Sequence, residues 1–480
     1  MGAAFAASVI AGWFYGNPEQ EAVALPGFAV SIALTWLAAG LCYYRSVKGS
    51  RKIFRKEALC SVGLGWLLAT VVGALPYCFI LRCSVVDGVF ESASGLTTTG
   101  ATVFDQLEGL PRSLLFWRAI SQWIGGMGVV IFFVAVLAFL GAEAKILFAN
   151  ESSAEVEELD SGRVRSGILH LLYIYLGLSL ACFLAFRWGG MGSYEALCHM
   201  FTTISTGGFS IYDSSIGYFQ SPLLEWMFMV FMVLGGTSFL VQLRVVHGEG
   251  RFLLRNTEVR WFCLLLLGST LWVAVELWRQ SESLPGTGVE HGAVALRVSL
   301  FHVISLMTTT GFVTVDYDSW PLLTHVLLLA LIIVGGCSGS TSGGLKVIRL
   351  VAIVKILLIH IENAFRSQVV RLVKINGRSL STSAKDEILL YVILIVLLGH
   401  VAMIAITVLE PQLSFKGIYS VTLACLYNIG PGFAEIGPMH TYASFSAPCK
   451  SLLVLLMIMG RLELYAILAL FLPSFWRRFA

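Results

Sequence analysis

Leu96-Thr97-Thr98-Thr99-Gly100-Ala101 decides the fold, because the pattern returns three more times. The copies read Ile204-Ser205-Thr206-Gly207-Gly208-Phe209, Met307-Thr308-Thr309-Thr310-Gly311-Phe312 and Tyr427-Asn428-Ile429-Gly430-Pro431-Gly432. Each lies roughly a hundred residues after the last, the mark of internal repetition. Before each glycine runs a short apolar stretch: 86–97, 194–204, 297–308 and 416–427. These are too short to span a bilayer core, which needs about 20 residues, and suit re-entrant half helices. Farther on, a second small-residue site interrupts a long apolar segment: Gly125-Gly126, Gly235-Gly236, Gly335-Gly336 and Gly460-Arg461. One unit therefore reads spanning helix, half helix, extended glycine segment, spanning helix.

Composition sets the solvent for this unit. Of 480 residues, 57% are hydrophobic and 13% charged, with mean hydropathy +0.81. A soluble domain carries about 25% charged residues, so water cannot be the only solvent here. The apolar runs at 59–81, 114–141, 168–186, 222–242, 261–278, 322–336, 388–409 and 451–472 agree. The predicted fold class is an all-α polytopic membrane protein. Four pseudo-fourfold helix–pore-helix–helix repeats surround a single pore, and an accessory helical hairpin precedes them. The divisions are 1–50 for the hairpin, 51–145, 146–245, 246–350 with an inner loop, and 351–480. The hairpin joins 1–16, short for a span, to 23–44 through Asn17-Pro18-Glu19-Gln20.

Charge placement gives orientation. Arg45, Lys48, Arg51, Lys52, Arg55 and Lys56 form one basic cluster, and Arg244, Arg251, Arg255 and Arg260 a second. Eight more basic residues lie between Lys346 and Lys385, and Arg477 and Arg478 close the chain. Each group follows an even number of crossings, so the positive-inside rule puts them, and the C-terminus, in the cytoplasm. Residues 1–16 are apolar with no basic residue before them, so no cleavable signal is predicted. The acidic stretch Glu151–Asp160 reads as a solvated cytoplasmic loop.

In the glycine segments, backbone carbonyls can replace the hydration shell of a cation. Non-helical backbone is tolerated at membrane depth only where protein buries it or water lines it. Glycine permits the angles that aim successive carbonyls at one axis, and the preceding hydroxyls add oxygen. The candidate filter is Thr98, Thr99, Gly100; Ser205, Thr206, Gly207; Thr309, Thr310, Gly311; and Asn428, Ile429, Gly430. Beyond each glycine stands an acid, Asp105, Asp213, Asp316 or Glu435, and together they form a candidate carboxylate collar at the external mouth.

Residues 335–344 hold five glycines and three serines, too many for a stable helix. A phosphate loop is excluded, because Leu345 rather than lysine follows Gly344. Broken helices in membranes line cavities. Gly335, Gly336, Ser338, Gly339, Ser340, Thr341, Gly343 and Gly344 are thus candidate gate residues. Arg461 joins them as a fixed charge in the last apolar run, where ionisable residues are functional by default. Apart from Arg461 and Glu463, no ionisable groups are expected to converge at depth, which excludes a membrane-embedded enzyme. Ten cysteines show no C-x-x-C pair and nine histidines no ligand spacing. No bound cofactor and no nucleic-acid partner are expected.

These residues carry a resemblance. Ser94-Gly95-Leu96-Thr97-Thr98-Thr99-Gly100-Ala101-Thr102, Gln122-Trp123-Ile124-Gly125-Gly126-Met127-Gly128, the run from Gly335 to Lys346, and Met459-Gly460-Arg461-Leu462-Glu463 resemble the Trk/Ktr superfamily of potassium transporters. The likeness spans about residues 45–480, and the accessory hairpin suits the Trk (TrkH-type) branch over the Ktr branch. The resemblance implies channel-like potassium uptake, with Gly100, Gly207, Gly311 and Gly430 as filter glycines and 335–344 as a gate beneath them. It also implies a homodimer in the bacterial inner membrane and a cytoplasmic nucleotide-binding regulatory ring (TrkA-type) as partner. The fourth segment departs from the pattern, with no hydroxyl beside its glycine. An alternating-access symporter coupled to protons or sodium is the competing reading. Its usual inverted repeats fit poorly with filters that all enter from one side.

Overall fold

The computed structural model describes residues 1–46, 55–139, 161–280, 292–366 and 371–476. Lys48, Arg51, Lys52, Glu151–Asp160, Arg477 and Arg478, and the divisions at 50/51 and 145/146, lie outside the described residues. Among the described residues, six helices are long and apolar enough to cross a membrane, or seven with one sharply bent pair. The chain is a multi-pass membrane protein.

The accessory hairpin pairs Gly2–Tyr15 with Pro18–Ser46, and its turn is tighter than the polar run suggested. Phe5 packs edge-on against Trp117 of the first repeat with ring centroids 4.5 Å apart, which seats the hairpin on that repeat. The first helices of the four repeats are Arg55–Leu81, Ser161–Trp188, Thr257–Arg279 and Thr382–Leu409. Each is followed by a short helix: Val85–Leu96, Ser193–Ile204, Gly292–Met307 and Phe415–Leu426. Serine side chains cap two of these at the backbone, Ser84 to Asp87 and Ser414 to Gly417.

The second helices differ from one another. Arg112–Phe139 is continuous. Pro222–Gly236 and Phe239–Val246 meet at a bend of 102°. Leu322–Val334 stops at Gly335 and resumes as Val347–Phe365. Ala447–Arg461 stops at Arg461 and resumes as Tyr465–Phe471. The apolar runs 222–242 and 451–472 are therefore broken where the sequence pattern read them as continuous. Among the described residues, the only strands form a two-stranded hairpin, Lys374–Ile375 against Arg378–Ser379.

Charge-bearing contacts stitch every seam between repeats. Arg118 Nη1 donates to Ser210 O at 3.1 Å across the first seam. Arg297 pairs with Glu225 at 3.0 Å across the second, Lys416 with Asp318 at 2.7 Å across the third, and Lys450 with Asp87 at 2.7 Å across the last. The last contact brings the fourth repeat back to the first and closes the circle.

Candidate ion filter and inner loop

Each short helix ends in the same backbone turn. Thr98, Thr206, Thr309 and Asn428 adopt left-handed angles, with φ of 53°, 52°, 54° and 56°. The next residue's N–H reaches back five positions: Thr99 to Ser94 O at 2.8 Å, Gly207 to Thr202 O at 2.9 Å, Thr310 to Ser305 O at 2.8 Å, and Ile429 to Ala424 O at 2.8 Å. This is a Schellman helix end with threonine or asparagine where glycine is usual. A β-branched residue there costs about 1–2 kcal/mol, the kind of strain that collects at functional sites.

The turn also fixes the register between repeats. Thr206 matches Thr98, so the residue equivalent to Gly100, Gly311 and Gly430 is Gly208 rather than Gly207. Gly100, Gly208 and Gly311 have φ of 85°, 76° and 83°, whereas Gly207 is not in the left-handed region.

The four segments close on one another. A Cβ on Gly100 would strike Gly207 O, one on Gly208 would strike Thr310 O, one on Gly311 would strike Pro431, and one on Gly430 would strike the Gly100 backbone. The order is first to second, second to third, third to fourth, fourth to first. The backbone approaches its neighbour so closely at each station that only glycine fits.

Behind this ring, polar pegs hold each outgoing strand to its short helix. Val103 N donates to Glu91 at 3.0 Å, Thr314 N to His302 Nε2 at 3.4 Å, and Phe433 N to Ser420 Oγ at 2.8 Å. In the second repeat His199 Nε2 meets Ser210 Oγ at 3.1 Å. Glu91 is fully buried and pairs with the buried Arg118 at 2.7 Å. Arg118 also lies over the Phe209 ring at 4.1 Å. Gln122 clasps the second segment, donating to Gly207 O at 2.7 Å and accepting from Phe209 N at 3.1 Å.

This corrects the expectation that only Arg461 and Glu463 carry charge at depth. Arg118 inside an apolar run and Glu91 in a half helix were each readable as anomalies. Their pairing, 27 residues apart in sequence, was not.

The helix glycines have a plain structural reason. A Cβ on Gly125 would strike Leu96 O, one on Gly235 would lie 3.1 Å from Ile204 O, and one on Gly460 would strike Leu426 O. The second helix of the unit thus presses directly on the end of the short helix in repeats one, two and four.

The loop 335–344 lies against the inner face of this ring. Thr341 Oγ1 donates to Ile204 O at 2.9 Å and meets Thr206 Oγ1 at 3.3 Å, while Thr309 Oγ1 accepts from Gly343 N at 2.6 Å. A Cβ on Gly343 would strike Tyr427 O, so the loop touches three of the four segments. Gly335, Gly339 and Gly344 have positive φ, and Gly336 backs onto Gly236 O, which accepts from Cys337 N at 2.9 Å. Phe239 N donates to Gly339 O at 3.0 Å, and Ser340 Oγ meets Ser342 Oγ at 2.7 Å. Ser338 N is held by Glu258 at 2.7 Å.

Arg461, 5% exposed, ends its helix and donates from Nη1 to Thr341 O at 2.7 Å. Glu463 pairs instead with Arg349 at 2.8 Å. Buried polar atoms without a partner among the described residues include Thr98 Oγ1, Asn428 Oδ1, and Arg461 Nε and Nη2.

The four acids sit in the loops beyond the ring. Asp105, Asp213 and Asp316 are exposed and Glu435 is half-buried. Asp105 accepts from Thr441 Oγ1 and Asp213 from Leu107 N, at 2.8 Å for the latter. Asp316 caps Asp318 N at 3.0 Å, and Glu435 accepts from Ser414 N at 2.8 Å. Burial by itself would raise the Glu435 carboxyl, but the hydrogen bonds from Ser414 outweigh it and hold the group below its ordinary value.

Comparison with known proteins agrees with this architecture. Residues 28–478 match the TrkH family, described as a cation transport protein. The Trk system potassium uptake protein TrkH of Halomonas elongata is 33% identical over 94% of this chain and 92% of its own length. The protein of the same name from Escherichia coli is 33% identical over 90% of this chain and 88% of its own length. The crystal structure of the potassium transporter TrkH from Vibrio parahaemolyticus superposes with a TM-score of 0.88. It covers 99% of this chain and 96% of that one at 28% identity. With the family matched along almost the whole chain and relatives above 30% identity, this chain belongs to the TrkH family of cation transport proteins.

Proposed function

We propose that the chain takes up potassium ions through the closed ring of four glycine segments and that the loop 335–344 gates it from below. The observation that carries this reading is the ring itself, in which each filter glycine abuts the segment of the next repeat. Four strained helix ends at equivalent places, anchored by pegs from behind, keep that backbone from collapsing when an ion leaves. The buried oxygens of Thr98 and Asn428 have no partner among the described residues, and orphaned polar atoms of this kind call for water or an ion. The unpaired guanidinium atoms of Arg461 place positive charge beside that space, and its bond to Thr341 O steadies the loop.

Potential drives the flow inward, contributing about 2.3 kcal/mol per charge at 100 mV. The protein works as a homodimer in the bacterial inner membrane, with its C-terminus in the cytoplasm. A cytoplasmic nucleotide-binding ring of the TrkA type releases the loop. The mouth acids Asp105, Asp213, Asp316 and Glu435 concentrate cations while their hydrogen bonds hold the loops in place.

The test is potassium uptake in a potassium-uptake-deficient bacterium, with the regulatory ring present, comparing the wild type with Gly311→Ser. Growth rescue by the wild type, with selectivity over sodium relaxed or conduction lost in the variant, is the expected result. An unaltered variant, or uptake strictly coupled to protons or sodium, would move the alternating-access reading to the front.

A further inference from the structure

Glu258 holds both ends of the inner loop with one oxygen. It lies in the first turn of Thr257–Arg279 and is 3% exposed. Its Oε1 accepts from Ser338 N at 2.7 Å and from Ile348 N at 3.2 Å. Ser338 is near the start of the loop and Ile348 in the first turn of the helix that follows. All the residues that touch the ring, from Thr341 to Gly343, lie between these two donors. The helix Val347–Phe365 has no side-chain cap of its own, because Lys346 stands at that position. A carboxylate at a helix N-terminus meets both the free N–H groups and the positive end of the helix dipole.

The neighbouring residue extends this connection outward. Thr257 N donates to Asn376 Oδ1 at 2.7 Å. Asn376 and Gly377, with φ of 49° and 83°, form the two-residue turn of the strand hairpin. Val373, Ile375 and Leu380 of the hairpin share a separate apolar cluster with Ile348, Ala352 and Ile356 of Val347–Phe365. Lys355 Nζ also donates to Lys374 O at 2.7 Å. Hairpin and helix are thus one packed unit, joined to Thr257-Glu258 at the turn and to the loop through Glu258.

We propose that Glu258 is a positioning residue that latches the inner loop against the ring, and that Asn376 links this latch to the strand hairpin. The proposal rests on the reading of 335–344 as a gate. Displacing the hairpin pulls on Thr257 through Asn376 and on Ile348 through the apolar cluster. The oxygen shared by Ser338 and Ile348 then loses one donor, and the loop is freed. A ligand or partner can shift such an equilibrium only by contacts that differ between the two states, and these are such contacts.

The experiment measures potassium uptake by the full chain in deficient cells, with and without the regulatory ring, at matched membrane content. Glu258→Ala is expected to raise ring-independent uptake roughly fivefold or more, the lower end of measured couplings. Glu258→Gln keeps an oxygen for the same two N–H groups and should stay near the wild type. Asn376→Gly retains the left-handed turn while removing the acceptor, and should raise uptake to a smaller degree. In a chain lacking 340–342, Glu258→Ala should add nothing further.

Equal effects of the alanine and glutamine variants, or an alanine effect that persists in the shortened loop, would overturn the latch. If Glu258→Ala fails to reach the membrane, unchanged uptake in Asn376→Gly overturns the link. A shortened loop that leaves uptake unchanged sinks the gate reading itself, a result distinct from failure of the latch.

Discussion

The outer and inner halves of the repeats follow different rules. On the outer side, four segments share one backbone turn and one glycine position, each pegged to its short helix. On the inner side the four second helices take four different courses: one is continuous, one bends by 102°, one opens into a loop and one stops at Arg461. Surrounding an ion evenly requires oxygens from every direction, so the ring gains by repetition. Closing a path requires one element to cross it, and four identical obstacles would meet at the axis. Under the proposed function, a division of labour between filter and gate follows from these two geometries.

The largest effect should come from disturbing the ring where the register is in question. Gly208→Ala puts a Cβ into Thr310 O and forces alanine into φ 76°. Backbone cannot swing aside as a side chain can, so overpacking and left-handed strain add. Uptake should fall at least about tenfold, the equivalent of 1.4 kcal/mol at the ion's position. Gly207→Ala meets only the amide of Gln122, the far end of a side chain, and should lose less. Ion uptake by the two variants at equal membrane content settles this, and the reverse ranking would return the filter position to Gly207.

Breaking the inner half should leave selection intact. Arg461→Ala removes the donor to Thr341 O, a bond from a charged group. Loss of such a bond is worth about 1.5–3 kcal/mol, so uptake without the regulatory ring should rise by about tenfold or more. The ratio of potassium to sodium uptake should not change, because Arg461 bonds to the loop and not directly to a filter residue. Altered selectivity would merge the two halves, and an unchanged rate would take Arg461 out of the gate.

The sequence carried the repeat, the half helices and the interrupted third helix because each is written in composition or periodicity. It left other features open for identifiable reasons. Gly207 and Gly208 are both glycine, so only the left-handed turn at Thr206 distinguishes them. The break after Arg461 has no glycine or proline at Leu462-Glu463-Leu464. Positive φ at Glu463 and Leu464 is imposed where Glu463 turns to reach Arg349. The bend at Thr237-Ser238 likewise follows from Phe239 N bonding to Gly339 O in another repeat. Glu91 and Arg118 find each other only once two helices are folded together. Local signals marked the elements, and the misses are tertiary contacts.

The smallest effects lie at the proposed mouth, where a collar role and a structural role would respond differently to solution conditions. A collar that concentrates cations acts through water, so salt screens it over a Debye length of about 8 Å at physiological ionic strength. Replacing Asp105, Asp213, Asp316 and Glu435 with their amides should cut uptake at low potassium and low ionic strength by about twofold, an effect of a few tenths of a kcal/mol. That loss should vanish in high salt. The structural role is independent of salt but not of pH. Burial would raise the Asp318 carboxyl, yet the bond from Lys416, with help from Ala434 N, holds it below its ordinary value, as Ser414 does for Glu435. Both groups stabilise the fold in full above the unfolded carboxyl range near pH 4, and the contribution is lost as pH falls through their lower folded values. Asp318→Asn should therefore lower the thermal midpoint of the detergent-solubilised protein at pH 7 by roughly 1–3 °C, as suits a partly exposed pair. The gap to the wild type should close below pH 4. A gap that persists in acid would mean that packing rather than charge holds the third seam.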